Sequence, residues 1–521
     1  MAVDPWFQTW HPPPHLIADH NIFVPPRLKN FSSPEYVPRS TNTTKGESRH
    51  TPADLLPFLL SLGLVDLKKE NPKKNSSRPR TLITPKEEEL GYTTDHSIFD
   101  DLTTISFGDK ENFQEKTGPF RTRYAWKQLD YDFHSSTDRS AAIILGEFVP
   151  ENNLPLGVEV WKNKLFITMP KWKGGIPATL AVLPREPKEM SPLLVPYPSW
   201  EWHRTESCAG LTSVFRVQAD DCGRLWVLDS GQIEITIKPK QVCPPAIYVF
   251  DLETDRLLLR YELPKDFIKQ DSLYSNIIVD NRDGDCANVH AYLTDVWRYG
   301  LVVFSLRRKK SWRITDHLFY PEPLAAAYKV HDLEFQWTDG LFGLALGLWD
   351  KQKEDRILYF HPMSSFREFY VKTNVICNET GWDKVKDAFR VMGQSRGKNG
   401  HVSASAIDKN GIMFYNLVTR DSIGCWDSRK PYKRSNLGVV AQHNEKLVFP
   451  NDIKVDKEEK QSIWIVTNKL PFYLYSKLDK NKINFRVLSA YTEDAIKGTV
   501  CDPNLAYPDS FANVPDGEDC Y

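Results

Sequence analysis

The sequence predicts an all-β protein, a six-bladed β-propeller with a long disordered N-terminal extension. Three observations predict it. A two-strand hairpin recurs six times along the chain, at a spacing of about 50–65 residues that falls in the range of propeller blades. Aromatic residues make up 12% of the chain, which suits sheets that pack face to face. The text before residue 120 has a different composition, rich in Pro, Ser and basic residues and poor in periodicity, as disordered segments are.

Taken in order, residues 1–120 form the extension. It carries Pro runs, the basic stretch KKENPKKNSSRPR (68–80), and sequons beginning at Asn30, Asn42 and Asn75. Its one apolar run, LLPFLLSLGLV from Leu55 to Val65, is too short to span a membrane and reads as a short amphipathic helix. No signal peptide is visible at the N-terminus of this chain. The propeller is assigned to 121–500 and a C-terminal tail to 501–521.

The clearest hairpin is CAGLTSVFRVQADDCGRLWVLDSG, from Cys208 to Gly231. It is an apolar strand, a polar turn containing Asp and Gly, and a second strand. The same grammar appears at 155–170, 275–296, 339–362, 401–418 and 449–468. The first strand of each unit, near 157–161, 213–217, 276–280, 341–346, 402–407 and 451–455, is expected to line a central channel. Ring closure leaves only short, protected sheet edges.

Net charge is −1, so the body is not an electrostatic nucleic-acid binder. No apolar run reaches the ~20 residues of a membrane span. The eight Cys include no CxxC pair, which excludes a zinc ribbon and a thioredoxin-type site and leaves buried thiols or secretory disulfides. Asn378-Glu379-Thr380 is a glycosylation sequon within the body. Gly393-Gln394-Ser395-Arg396-Gly397 fits the nucleophile-elbow pattern, but a strand follows where that motif needs a helix, so it reads as a turn. Asp280, Asp283 and Asp285 lack the spacing and closing Glu of a calcium loop. No metal site is expected. Polar residues that would converge on the channel are Glu159, Asn276, Ser403, Asn451, Asp452 and Asn468, each needing a partner in protein, water or ligand.

Several stretches carry a resemblance: WKQLDYDF, LGEFVPENNLPLGVEVWKNKLFITMPKW, the Cys208 hairpin, VCPPAIYVFDL, SWRITDHLFYPEPLAAAY, DGLFGLALG, LYFHPMSS, VVAQHNEKLVFPNDIKV and IWIVTNKLP. Over about 124–500 the chain resembles the yellow/major royal jelly protein family of insects. The resemblance implies a six-bladed propeller, secretion, and a role in cuticle pigmentation, the melanin pathway or development. It also implies a small aromatic amine or catechol as ligand in the channel. By resemblance the amine-binding run maps to Asn468-Lys469-Leu470, assisted near Asn451. Here Leu470 stands for an aromatic residue and Asn451 for a hydroxyl one. Dopachrome conversion, a tautomerisation known in the family, is the alternative, with Glu159 as its proton-transfer group. A third reading is a metal-dependent lactonase-like propeller, in which Glu159, Asn451 and Asp452 would suit calcium; otherwise no cofactor is expected.

Propeller geometry then predicts two disulfides. Cys222 and Cys286 fall in the first turns of successive blades, on one rim, whereas Cys208 and Cys243 fall on the opposite rim. Pairing of Cys222 with Cys286 and of Cys208 with Cys243 meets the ~5–6 Å Cα separation a disulfide needs. No pairing is preferred for Cys377, Cys425, Cys501 or Cys520.

Overall fold

Each of the six hairpins becomes the inner half of a four-stranded antiparallel sheet. The computed structural model describes residues 118–203 and 207–505. Most of the N-terminal extension, with its Leu55 to Val65 run and three sequons, lies outside those residues, as do Cys520 and most of the tail.

The inner strands are Gly157–Trp161, Val214–Ala219, Tyr274–Asn281, Leu341–Leu346, Val402–Ile407 and Pro450–Val455. Each packs against the next around the ring, and the last packs against the first. Strands inside the ring are covered on both faces, so their sequences run apolar without alternation: Arg224–Asp229 and Ser462–Thr467 are buried almost throughout. The sixth sheet is closed from the far end of the chain. Its outermost strand is Arg121–Trp126, paired with Phe485–Tyr491, which buries Tyr124 and Trp126.

The polar turns have a shared internal logic. Asp220, at the end of an inner strand, accepts the backbone N–H of Cys222 and Arg224 and the indole N–H of Trp226. Asp456 does the same for Ser462 and Trp464, and Asp280 receives the Tyr292 hydroxyl at 2.9 Å. A buried carboxylate thus closes the turn and anchors an aromatic ring of the next strand. Asp280 is therefore an interior group, also paired with Arg356 at 3.2 Å. The 393–397 segment is a connection between strands, pinned by a buried Arg396–Glu368 ion pair at 2.8 Å.

Cys208 is bonded to Cys243 and Cys222 to Cys286, with Cα separations of 5.5 and 5.8 Å. Cys425, on the third strand of the fifth blade, is bonded to Cys501. Among the described residues Cys377 is the free cysteine, and no helix is long and apolar enough to cross a membrane.

Three insertions rise over the end of the ring that carries Cys208 and Cys243. They are the ribbon of Gln232–Ile233 with Lys240–Gln241, the ribbon of Ala327–Val330 with Leu333–Gln336, and the short helix Leu470–Tyr475. We call this end the upper one.

Candidate functional site

The inner strands do not run straight through the axis. Their pairing slips between Val214 and Arg216, Tyr274 and Asn276, Leu341 and Gly343, Val402 and Ser405, and Pro450 and Asp452. Such bulges turn a side chain out of the alternation of its strand. The displaced residues Phe215, Phe342, Ser403 and Asn451 all line one cavity of about 460 Å³ at the upper end.

Its walls are mainly apolar and rich in aromatic rings. Trp172, Trp297, Trp337, Phe449 and Tyr475 join the two phenylalanines there, brought from the blades and the insertions. Asp339 supplies a carboxylate to the same wall. It accepts the Trp297 indole N–H at 3.1 Å, and burial pushes its pKa up to about 6. The Tyr475 hydroxyl accepts the Trp337 indole N–H at 2.5 Å, and burial pushes its pKa up to about 12. Asn451 is 3% exposed, and its Oδ1 has no hydrogen-bond partner.

Behind the Phe342, Ser403 and Asn451 that line this cavity lies Arg216, which itself lines a second one. From the second blade its guanidinium donates to the Asn451 carbonyl at 2.7 Å and lies 4.8 Å from the Phe342 ring centroid. Its Nε sits 3.6 Å from Asp452. One side chain therefore touches the fourth and sixth blades across the centre of the ring. That second, lower cavity measures about 170 Å³. There Glu159 accepts the N–H groups of Val160 at 2.8 Å and Ala219 at 3.1 Å. Burial pushes its pKa up to about 7, against the opposing effect of Lys454.

The residues nominated from sequence are thus divided between two chambers. Leu470, Ser403 and Asn451 line the upper one. Glu159, Asn276 and Asp452 line the lower one. Asn276 donates to the Phe342 carbonyl and accepts from Ile277 N–H, while Asp452 accepts from Val158 and Ile453 N–H. Ser403 donates to the Pro450 carbonyl at 2.7 Å. Asn468 is fully buried; it donates to Pro155 O at 2.9 Å and accepts Leu470 N–H at 3.1 Å, fastening the short helix to the first blade. Among the described residues no group of three or more His, Cys, Asp or Glu is arranged to hold a metal ion. Asn378 is exposed.

Sequence reasoning missed Asp339, Trp297, Trp337, Tyr475 and Arg216. Asp339-Gly340 reads as an ordinary turn, and the three aromatics sit outside the hairpins. Arg216 left a trace: a charge in the middle of an otherwise apolar inner strand, VFRVQA, demands a buried partner.

An aromatic-rich, mostly apolar cavity with a few convergent polar groups at the axis of a propeller has the form that small-molecule sites take. Residues 212–501 match the family described as Major royal jelly protein. The chain is 46% identical over 393 residues to the dopaminechrome tautomerase of Drosophila melanogaster, covering 74% of this chain and 84% of that protein. It is 38% identical over 401 residues to Protein yellow of the same species, covering 75% and 73%. Among solved structures, virginiamycin B lyase from Staphylococcus aureus aligns at 12% identity with a TM-score of 0.36, over 65% of this chain and 96% of that one, a likeness too loose to carry an argument. The chain belongs to the yellow/major royal jelly protein family.

Proposed function

We propose that the upper cavity takes small aromatic amines or catechols, and that the chain acts on their oxidised, ring-closed form as a tautomerase in a melanin-type pigment pathway. The observation that carries this reading is the pairing of an aromatic-rich enclosure with one half-buried carboxylate, Asp339. Aromatic faces accept a flat ring and attract a cationic nitrogen. A carboxylate poised near neutral pH can pair with that nitrogen or exchange a proton with the ring.

The dopaminechrome tautomerase relative supports the catalytic side of this proposal. Conversion of an aminochrome to a dihydroxyindole is an isomerisation, so it needs no cofactor. Three disulfides suit an oxidising compartment and support secretion. Glu159 lies beneath Arg216 in the other chamber and has no part in this reading.

The test is direct. Purified protein should bind dopamine saturably at one site by calorimetry and bleach dopaminechrome faster than a buffer blank. Glu159→Gln should leave both unchanged. Absence of both saturable heat and accelerated bleaching in the wild-type protein would sink the proposal.

A further inference from the structure

We propose that Asp339 and Tyr475 form the acid–base pair of the upper cavity, Asp339 taking a proton from ring carbon and Tyr475 giving one to ring oxygen. This rests on the tautomerase reading above and assigns the chemistry within it.

Both groups line the same cavity, and each is held by the indole of a tryptophan. Trp297 donates to Asp339 at 3.1 Å and Trp337 to Tyr475 at 2.5 Å. The two hydrogen bonds have opposite consequences. At Asp339 the indole occupies one site on Oδ1, leaving the other carboxylate oxygen to act as a base. At Tyr475 it occupies a lone pair, and the phenolic proton has no acceptor among the described residues, so the hydroxyl is free to donate to a ligand or to water. Trp337 and Asp339 are two residues apart on the segment entering the fourth blade, while Tyr475 ends the short helix of the sixth. A ring in the cavity that both residues line would meet the base and the donor together.

Their environments also separate the two groups as proton carriers. Burial puts Asp339 near 6 and Tyr475 near 12, so at neutral pH the first is mostly ionised and the second fully protonated. Widely separated partners of this kind are how acid and base roles are divided in one site. The other titratable groups that feel the Asp339 charge are the hydroxyls of Tyr299 and Tyr328. Asp271, also at the cavity, is ion-paired with Arg298 at 3.0 Å.

The step balances without a co-reactant. The Asp339 carboxylate removes a proton from a saturated ring carbon of the aminochrome, breaking a C–H bond. The electron pair moves through the conjugated ring into a carbonyl, whose oxygen forms an O–H bond with the Tyr475 proton. Water at the cavity mouth carries the proton from Asp339 back to Tyr475. A second transfer, from the neighbouring carbon to the other carbonyl oxygen, completes the dihydroxyindole. Substrate and product are isomers, and nothing is oxidised or reduced overall.

The experiment is steady-state bleaching of dopaminechrome by wild type, Asp339→Asn, Asp339→Glu and Tyr475→Phe, alongside calorimetry with uncharged catechol. Asp339→Asn should lose about 10²-fold or more in kcat while still binding catechol, and Asp339→Glu should recover part of the loss. Tyr475→Phe should lower kcat by a comparable factor with KM changed little. In wild type kcat/KM should rise with pH through about 6, and that limb should vanish from the residual activity of Asp339→Asn. If wild type is active and both Asp339→Asn and Tyr475→Phe retain its rate within about twofold, the assignment is overturned while the tautomerase reading stands. If Asp339→Asn fails to fold by circular dichroism, Tyr475→Phe and the wild-type pH limb decide: loss of rate with an ascending limb near 6 supports the pair, and the absence of either refutes it. An inactive wild type removes the reading on which the pair rests.

Discussion

A buried guanidinium persists only where its charge is answered, and Arg216 is answered from two blades. It meets the Asn451 carbonyl, the Asp452 carboxylate and the Phe342 ring. Both it and Asp452 are almost fully buried. Breaking such a pair leaves an uncompensated charge, a penalty of about 3–5 kcal/mol. Arg216→Met should therefore lower the urea unfolding free energy by about that much. Adding Asp452→Asn should restore a large part of it, because the stranded carboxylate is removed. A single-mutant loss below about 1 kcal/mol would mean that the pair is solvated and does not seal the axis. Arg216 was legible only as an anomaly in an apolar strand. Its role depends on residues some 190–240 positions away.

At the scale of elements, hairpins were legible and their elaborations were not. Alternation, an Asp and a tight turn are local features, and all six inner strands lie close to where local pattern put them. The bulges at Phe215, Phe342 and Asn451 follow no residue-type rule, since register is decided jointly with the partner strand. Closure of the sixth blade is equally non-local. The partners Arg121 and Ser489 meet because the ring returns to its start. Trp126, 1% exposed in that closing strand and hydrogen-bonded to Pro192 O, should be a point of weakness. Trp126→Ala is expected to cost about 3–5 kcal/mol and to expose the edge of Phe485–Tyr491, seen as a lower thermal midpoint and increased self-association by light scattering. A midpoint unchanged within error would show that the blade holds without its outer strand.

Across the whole molecule, buried ionisable groups pull stability in opposite directions with pH. His203, His290 and His401 are buried, and burial lowers their pKa values to about 3, 4 and 4. The unfolded chain binds more protons at these sites, so their contribution is complete above about 6.5 and is lost as pH falls toward 4. Glu159 is the reverse: its folded value is raised to about 7. Its contribution is complete below the unfolded value and is lost as pH rises through about 7. Between pH 5 and 6.5 the carboxyl thus offsets part of the histidine slope. Glu159→Gln should steepen the loss of stability on acidification by as much as about 1.4 kcal/mol per pH unit, measured by urea unfolding across pH 5–7.5. Identical slopes for the two proteins would place Glu159 in contact with solvent.

By itself the sequence determined the all-β class, the sixfold recurrence and the turns, because these depend on neighbours within a few residues. It also carried the family resemblance, and with propeller geometry it led to Cys208–Cys243 and Cys222–Cys286. Only the tertiary structure decided that the axis is divided by Arg216, that Asn451 and Glu159 face different chambers, and that Asp339, Trp297, Trp337 and Tyr475 share one wall. The physical reason is that a cavity is bounded by side chains from segments remote in the chain. Their meeting is set by ring closure and strand register, which no local pattern encodes.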